Sequence, residues 1–183
     1  VFTDVKRLDG SFKDAHNYIV TCDTIDGRWS DRIYVNSSGF DPSLFHDDDG
    51  RKWFANLQWN QRQEGTGSNP AHHRFDGILL QEWSENDGLK GPVKTIYTGT
   101  SRGFTEGPHL FKRNGYYYLT TAEGGTSYEH AVTYARSRNI DGPYEDHPNL
   151  HLLCADGNSE HPIQRTGHGQ YVETADGAIY HTF

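Results

Sequence analysis

The sequence predicts an all-β protein built from β-propeller blades, and three observations carry that reading. A hairpin unit recurs at a long, nearly even period; aromatics reach 13% beside 20 Gly and 7 Pro; and no long segment sets apolar residues at helical spacing. The clearest copy runs Thr105-Glu106-Gly107-Pro108-His109-Leu110-Phe111, then Asn114-Gly115, then Tyr116-Tyr117-Tyr118-Leu119. Asn-Gly between two apolar runs is a strong hairpin signal, because both turn residues must take φ > 0. An earlier copy is Asp41-Pro42-Ser43-Leu44-Phe45, a turn at Asp49-Gly50 and Lys52-Trp53-Phe54; a later one is His168-Gly169-Gln170-Tyr171-Val172, a turn at Asp176-Gly177 and Ile179-Tyr180. Gly50 and Gly115 are 65 residues apart, and Gly115 and Gly177 are 62 apart. Asp41, Glu106 and His168 each stand nine residues before their glycine, so one structural position is expected to carry an ionisable group in three successive repeats. A period of roughly 60 residues holds about four short strands, too long for a solenoid coil and suited to a blade. First strands of successive blades line the axis, which brings their opening residues to one mouth.

The blades are expected at 38–100 and 101–160, with partial ones at 1–37 and 161–183. Residues 1–37 read as scaffold: a turn at Asp9-Gly10, the run Asn17-Tyr18-Ile19-Val20-Thr21, then Ile25-Asp26-Gly27-Arg28-Trp29 and Ile33-Tyr34-Val35. Comparable apolar runs, Ile78-Leu79-Leu80-Gln81-Glu82 and Ala131-Val132-Thr133-Tyr134-Ala135, are followed by Leu89-Lys90-Gly91-Pro92-Val93 and Ile140-Asp141-Gly142-Pro143-Tyr144. Asp41 alone would be turn chemistry, since Asp before Pro bonds nearby amides. The matching offset of Glu106 favours a functional role. Asp47-Asp48-Asp49 lacks the spaced ligands and closing Glu of a calcium loop and reads as a solvated hairpin tip. Trp59 reads as a core aromatic or a sugar-stacking platform. The polar stretch from Trp59 to Arg74 reads as a surface excursion or a pocket rim, with His72-His73 an exposed pair within it.

Glu106 has no cationic neighbour in sequence and is stiffened by Gly-Pro. That setting raises a carboxyl pKa and keeps it protonated, as a general acid requires. Glu123, in Ala122-Glu123-Gly124-Gly125-Thr126-Ser127-Tyr128-Glu129-His130, is a further carboxylate with no counterpart in the other repeats. His168 reads as a buried histidine, a metal ligand or a substrate contact. A net charge of −8 with no basic patch argues against nucleic-acid partners, and no apolar run is long enough to span a membrane as a helix. Cys22 and Cys154 have no CxxC spacing and read as buried thiols. With no Met and strands cut at both ends, the chain is expected to be a stretch of a longer protein.

Ser38-Gly39-Phe40-Asp41-Pro42-Ser43-Leu44-Phe45 and Thr105-Glu106-Gly107-Pro108-His109-Leu110 resemble two catalytic motifs of glycoside hydrolase family 43. Ala122-Glu123-Gly124-Gly125-Thr126-Ser127-Tyr128, His130-Ala131-Val132-Thr133 and Gly167-His168-Gly169-Gln170 resemble its β-xylosidase branch. The resemblance covers almost the whole chain. It implies a five-bladed β-propeller, here incomplete, with the first blade and the end of the last absent. It implies inverting hydrolysis of xylosides and arabinosides by three acidic residues. Glu106 would be the general acid and Asp41 the carboxylate that tunes and orients it. Phe40, Trp59 and Thr126 would line the sugar pocket with His168, which in many members sits by a central calcium or water. No cofactor is required; a structural calcium is the ion implied. The family's general base, an Asp in an Asp-Pro context, has no match here. The implied substrate is a xylo-oligosaccharide or an arabinoxylan-derived one.

Inverting hydrolysis needs a protonated acid and, roughly 6.5–9.5 Å away, an ionised base activating water. A third carboxylate beside the acid opposes its ionisation. Three alternatives stand beside this reading. One is an arabinanase or α-L-arabinofuranosidase on the same fold. Another is a retaining enzyme with Asp41 as nucleophile, which needs carboxyls about 5–5.5 Å apart. The third is a carbohydrate-binding propeller without catalysis.

Overall fold

The computed structural model describes residues 1–8, 13–61 and 74–183. The turn at Asp9-Gly10, the His72-His73 pair and all but the ends of the excursion from Trp59 to Arg74 lie outside those residues. Among the described residues every regular element is a strand. A first sheet holds β1 (Phe2–Leu8), β2 (Lys13–Ile19) and β3 (Ile33–Asn36) in that order. A second holds β4 (Ser43–His46), β5 (Lys52–Trp59), β6 (Phe75–Ser84) and β7 (Gly88–Tyr97), again in sequence order. A third repeats the pattern with β8 (Glu106–Arg113), β9 (Tyr116–Glu123), β10 (Ala131–Ser137) and β11 (Glu145–Cys154). β12 (Tyr171–Glu173) pairs with β13 (Ile179–His181). All pairings are antiparallel meanders, the local topology of blades in a partial propeller.

The second sheet is covered on both faces, which explains why Phe54, Ala55, Asn56 and Leu57 of β5 are buried in succession. Phe54 joins Ile19 and Trp83 in a core against the first sheet. Its neighbours Ala55 and Leu57 point the other way, into a larger core with Ile78, Leu80, Leu110 and Leu119. Each fully buried aliphatic side chain there contributes roughly 1.5–3 kcal/mol. The edge strands β4 and β8 pack on each other. β12 follows: the Tyr171 ring sits 4.1 Å from that of Phe111. The first strands of three successive sheets therefore stand side by side, as the repeat requires.

Register corrects the repeat by one residue. β4 and β5 are joined by a turn around Asp48-Asp49-Gly50, whereas β8 and β9 turn in two residues, Asn114 and Gly115, both with positive φ. Counting back from the glycine therefore misplaces the second copy. Pairing shows that Glu106 corresponds to Phe40, Gly107 to Asp41 and Pro108 to Pro42. Phe40 O accepts from Leu57 N, and Glu106 pairs with Ala122, each one step off the main register of its hairpin. The backbone agrees: Asp41, Gly107 and His168 all take the left-handed conformation, at φ 55°, 58° and 51°. Leu89–Val93 also differs from its counterparts. It lies inside β7, whereas 25–29 and 140–144 lie between strands.

Further expectations are revised. Asp47 is not a solvated tip. Its side chain is buried, accepting from Lys112 Nζ at 2.8 Å and Tyr117 OH at 2.7 Å; Asp48 and Asp49 stay exposed. Cys154 is exposed at the end of the edge strand β11. Cys22 is half-buried in a turn, where Sγ donates to Thr24 O, and both are free thiols.

Candidate functional site

Asp41 is delivered by the segment 38–40, which extends the ladder along β5: Trp59 N donates to Ser38 O and Leu57 N to Phe40 O, at 2.9 and 3.0 Å. Gly39 permits this approach, since a Cβ there would lie 1.9 Å from Leu57 O. Buried amides anchor the segment. Asn17 Nδ2 donates to Gly39 O at 3.1 Å, and Asn56 Nδ2 donates to Ser38 Oγ at 2.9 Å. Leaving an amide or carbonyl unpaired at such depth costs about 1–3 kcal/mol, so these bonds specify where Asp41 stands.

Asp41, Glu106 and His168 converge. One ring nitrogen of His168 and one oxygen of each carboxylate lie within 4.8 Å of one another. His168 Nε2 is 3.8 Å from Asp41 Oδ2. Gly107 makes the closeness attainable: its N–H bonds the Asp41 carboxylate, and a Cβ on it would come within 2.9 Å of the His168 ring. Gly167, which corresponds to Phe40 and Glu106, is covered by the ring of buried His130, at 2.4 Å from where a Cβ would sit. His168 is thus held through its neighbour as well as through Gly107.

The electrostatics separate the groups. Glu106 is 9% exposed. Burial, then the neighbouring Asp41 charge, pushes its pKa up to about 7, against a smaller pull from Lys13. Asp41 is also raised by burial, partly offset by His168, the Gly107 N–H and Lys13. His109, behind the site, is pushed down to about 4 by burial and by His168 and His181. At neutral pH, Glu106 can therefore donate a proton that an exposed glutamate would have lost.

An aromatic wall stands beside the acids. Phe40 and Trp59 have ring centroids 5.6 Å apart, Trp59 and Phe75 5.2 Å, and Phe75 and Phe104 5.1 Å. Lys13 Nζ lies 4.7 Å from the centroids of both Phe40 and Trp59. Sequence reasoning missed Lys13: it opens β2 in a stretch read as scaffold, with no motif to mark it. Phe75 and Phe104 were missed too, since each becomes a wall residue only through the pairing of β6 and the turn before β8. Thr126 is not brought into the cluster. It is exposed on the turn after β9, and no hydrogen bond or ring contact joins it to the three groups among the described residues. Glu123 is buried among hydroxyls, away from solvent.

Residues 1–183 match the family described as Glycosyl hydrolases family 43. A xylosidase/arabinosidase 43B of Humicola insolens is 59% identical over 98% of the chain, and a β-xylosidase of Bacillus subtilis 51% identical over 95%. The crystal structure of a xylan β-1,4-xylosidase from Bacillus halodurans superposes with a TM-score of 0.90 at 58% identity, over 98% of this chain and 33% of that one. The chain spans about a third of the length of the curated relatives it matches (32% for both).

Proposed function

Because the chain belongs to glycosyl hydrolase family 43, we propose that it carries the proton-donating part of an exo-acting β-xylosidase, with terminal α-L-arabinofuranosyl units as a second substrate class. The observation that carries this reading is Glu106: a carboxyl buried beside a second carboxylate, with a pKa about 7, next to an aromatic wall. Glu106 protonates the leaving oxygen. Asp41 keeps that proton in place by repelling the glutamate anion, and the Gly107 N–H and His168 hold Asp41. The wall of Phe40 and Trp59 offers apolar faces to the C–H face of the sugar, and Lys13 is within reach of its hydroxyls.

Asp41 and Glu106 stand too close to be an inverting acid and base with water between them. The base is therefore assigned to a carboxylate outside the described residues. A retaining reaction with Asp41 as nucleophile is favoured by the short separation alone. Proton NMR of the first-formed sugar separates the two: a β-xyloside yields α-xylose by inversion and β-xylose by retention.

The donor set fits a resident calcium poorly. One ring nitrogen and two carboxylates fall short of the six to eight oxygens calcium takes. A cation on Glu106 would also hold it ionised. His168 is accordingly assigned to a water or a sugar hydroxyl.

Replacing Asp41 by Asn tests the tuning role. The Asp41 charge raises the Glu106 pKa, so Asp41→Asn is expected to move the alkaline limb of the kcat/KM profile to lower pH and to reduce the rate at pH 7. A limb that stays in place removes Asp41 from that role. Assays on nitrophenyl xyloside and arabinofuranoside in the protein that carries this chain test the substrate class.

A further inference from the structure

Glu123, the last residue of β9, is 0% exposed, and the proton transfer does not use it. Four donors surround it. Thr100 N and Thr105 Oγ1 bond Oε1, each at 2.7 Å; Thr100 Oγ1 and Thr133 Oγ1 bond Oε2, at 2.5 and 2.9 Å. All four are neutral, and they come from three separate segments: the loop after β7, the residue before Glu106, and β10. Gly99 makes room, since a Cβ there would lie 1.7 Å from Thr105 Oγ1 and 2.5 Å from Glu123 Oε1.

The strand carrying the acid needs such an anchor. The ladder between β8 and β9 is interrupted between Glu106 and His109, where Gly107 is left-handed and Pro108 has no N–H to give. Glu106 is tied to β9 by a single pairing with Ala122, the residue before Glu123. Just upstream, Thr105 is held by the buried carboxylate. The same loop carries Phe104, at φ 54°, whose ring meets Phe75 edge-on, and Gly124 N donates to Gly103 O at 2.8 Å.

We propose that Glu123 is a positioning residue: a buried carboxylate that, through Thr105 and Thr100, sets the aim of Glu106 and the placement of Phe104. The proposal rests on Glu106 as proton donor. Misaiming an acid slows substrates with poor leaving groups, which need the proton, and spares those with good ones. Glu123→Gln turns one acceptor oxygen into a donor facing Thr100 or a threonine hydroxyl. Thr105→Val removes only one hydroxyl, and carries the test if the glutamine variant does not fold.

Both variants are measured on dinitrophenyl xyloside and on xylobiose in the protein that carries this chain. On xylobiose kcat is expected to fall about 10- to 100-fold, the cost of a misplaced catalytic group. KM should change little, the dinitrophenyl rate should be nearly kept, and Thr105→Ser should restore xylobiose turnover. Equal losses on both substrates, or a change in KM alone, would make Glu123 structural only and overturn the proposal. Glu106→Gln runs alongside. If it shows the leaving-group signature and the Glu123 and Thr105 variants do not, the Glu123 role alone fails. If Glu106→Gln hydrolyses xylobiose normally, the acid assignment fails and takes this role with it.

Discussion

Replacing Glu106 by Gln is expected to slow xylobiose turnover about 10²–10⁴-fold while making the fold more stable above neutral pH. The loss of activity follows from chemistry. A positioned general acid contributes about 10²–10⁴-fold, and an amide cannot donate a proton and recover it. The gain in stability follows from linkage. The folded carboxyl has a pKa about 7 against a reference of 4.5. A raised carboxylate pKa means that the folded state binds the proton more tightly than the unfolded one. Its contribution is full below the unfolded value and is lost as pH rises through the folded one. Between pH 4.5 and 7 the wild-type fold thus gives up ~3 kcal/mol at this residue, at 1.36 kcal/mol per pKa unit. Glutamine gives up nothing. Chemical denaturation at pH 4 and pH 8 should show the variant near wild type at the lower pH and up to ~3 kcal/mol more stable at the higher. A site that needs a buried, crowded carboxyl carries that cost wherever it works near neutrality.

Lys112→Ala is expected to lower stability well beyond an ordinary surface change, because it strands the buried Asp47 carboxylate. Asp47 closes the hairpin of β4 and β5, and Lys112 lies near the end of β8. Their bond, shared with Tyr117, clamps the far ends of the two strands whose near ends carry Asp41 and Glu106. Burial raises the Asp47 pKa, but the bonds from Lys112, Tyr117 and the Asp48 amide outweigh it and leave it below the usual range. Its stabilisation is present above the ordinary carboxylate pKa and is lost as pH falls through the lowered one. Removing both charges, as in Asp47→Leu with Lys112→Met, should restore most of the loss, since apolar replacements of buried pairs are often neutral. Urea titrations of the single and double variants check this. A single variant within 0.5 kcal/mol of wild type, the ordinary range for surface changes, would remove the clamp from the account.

The strands were legible because their turns carry Gly with Asn or Asp and their apolar runs are short. The convergence of Asp41, Glu106 and His168 was legible from the repeat, although the repeat was counted one residue off. A hairpin can turn in two residues or three, and the spacing to a glycine does not say which. Pro42 and Pro108 mark the true alignment, and with it the correspondence of Gly107 to Asp41. Lys13 was not legible, because a lysine opening a strand has no signature until the sheet beside it is placed. Glu123 was not legible as a buried anchor for a related reason. Thr100, Thr105 and Thr133 are scattered in sequence, and only the packing of β8, β9 and β10 gathers them. Asp47 misled in the same way: three consecutive aspartates look solvated, yet the first faces inward to meet a lysine 65 residues on.

The central claim is that the fold keeps a large share of Glu106 protonated at pH 7, and a direct titration reads it. With ¹³C-labelled glutamate side chains, and Glu106→Gln to assign the resonance, the carboxyl shift should titrate with a midpoint about 7. A midpoint near 4.5, the unperturbed glutamate value, would mean that Glu106 is ionised at neutral pH and would contradict its proposed role as a general acid.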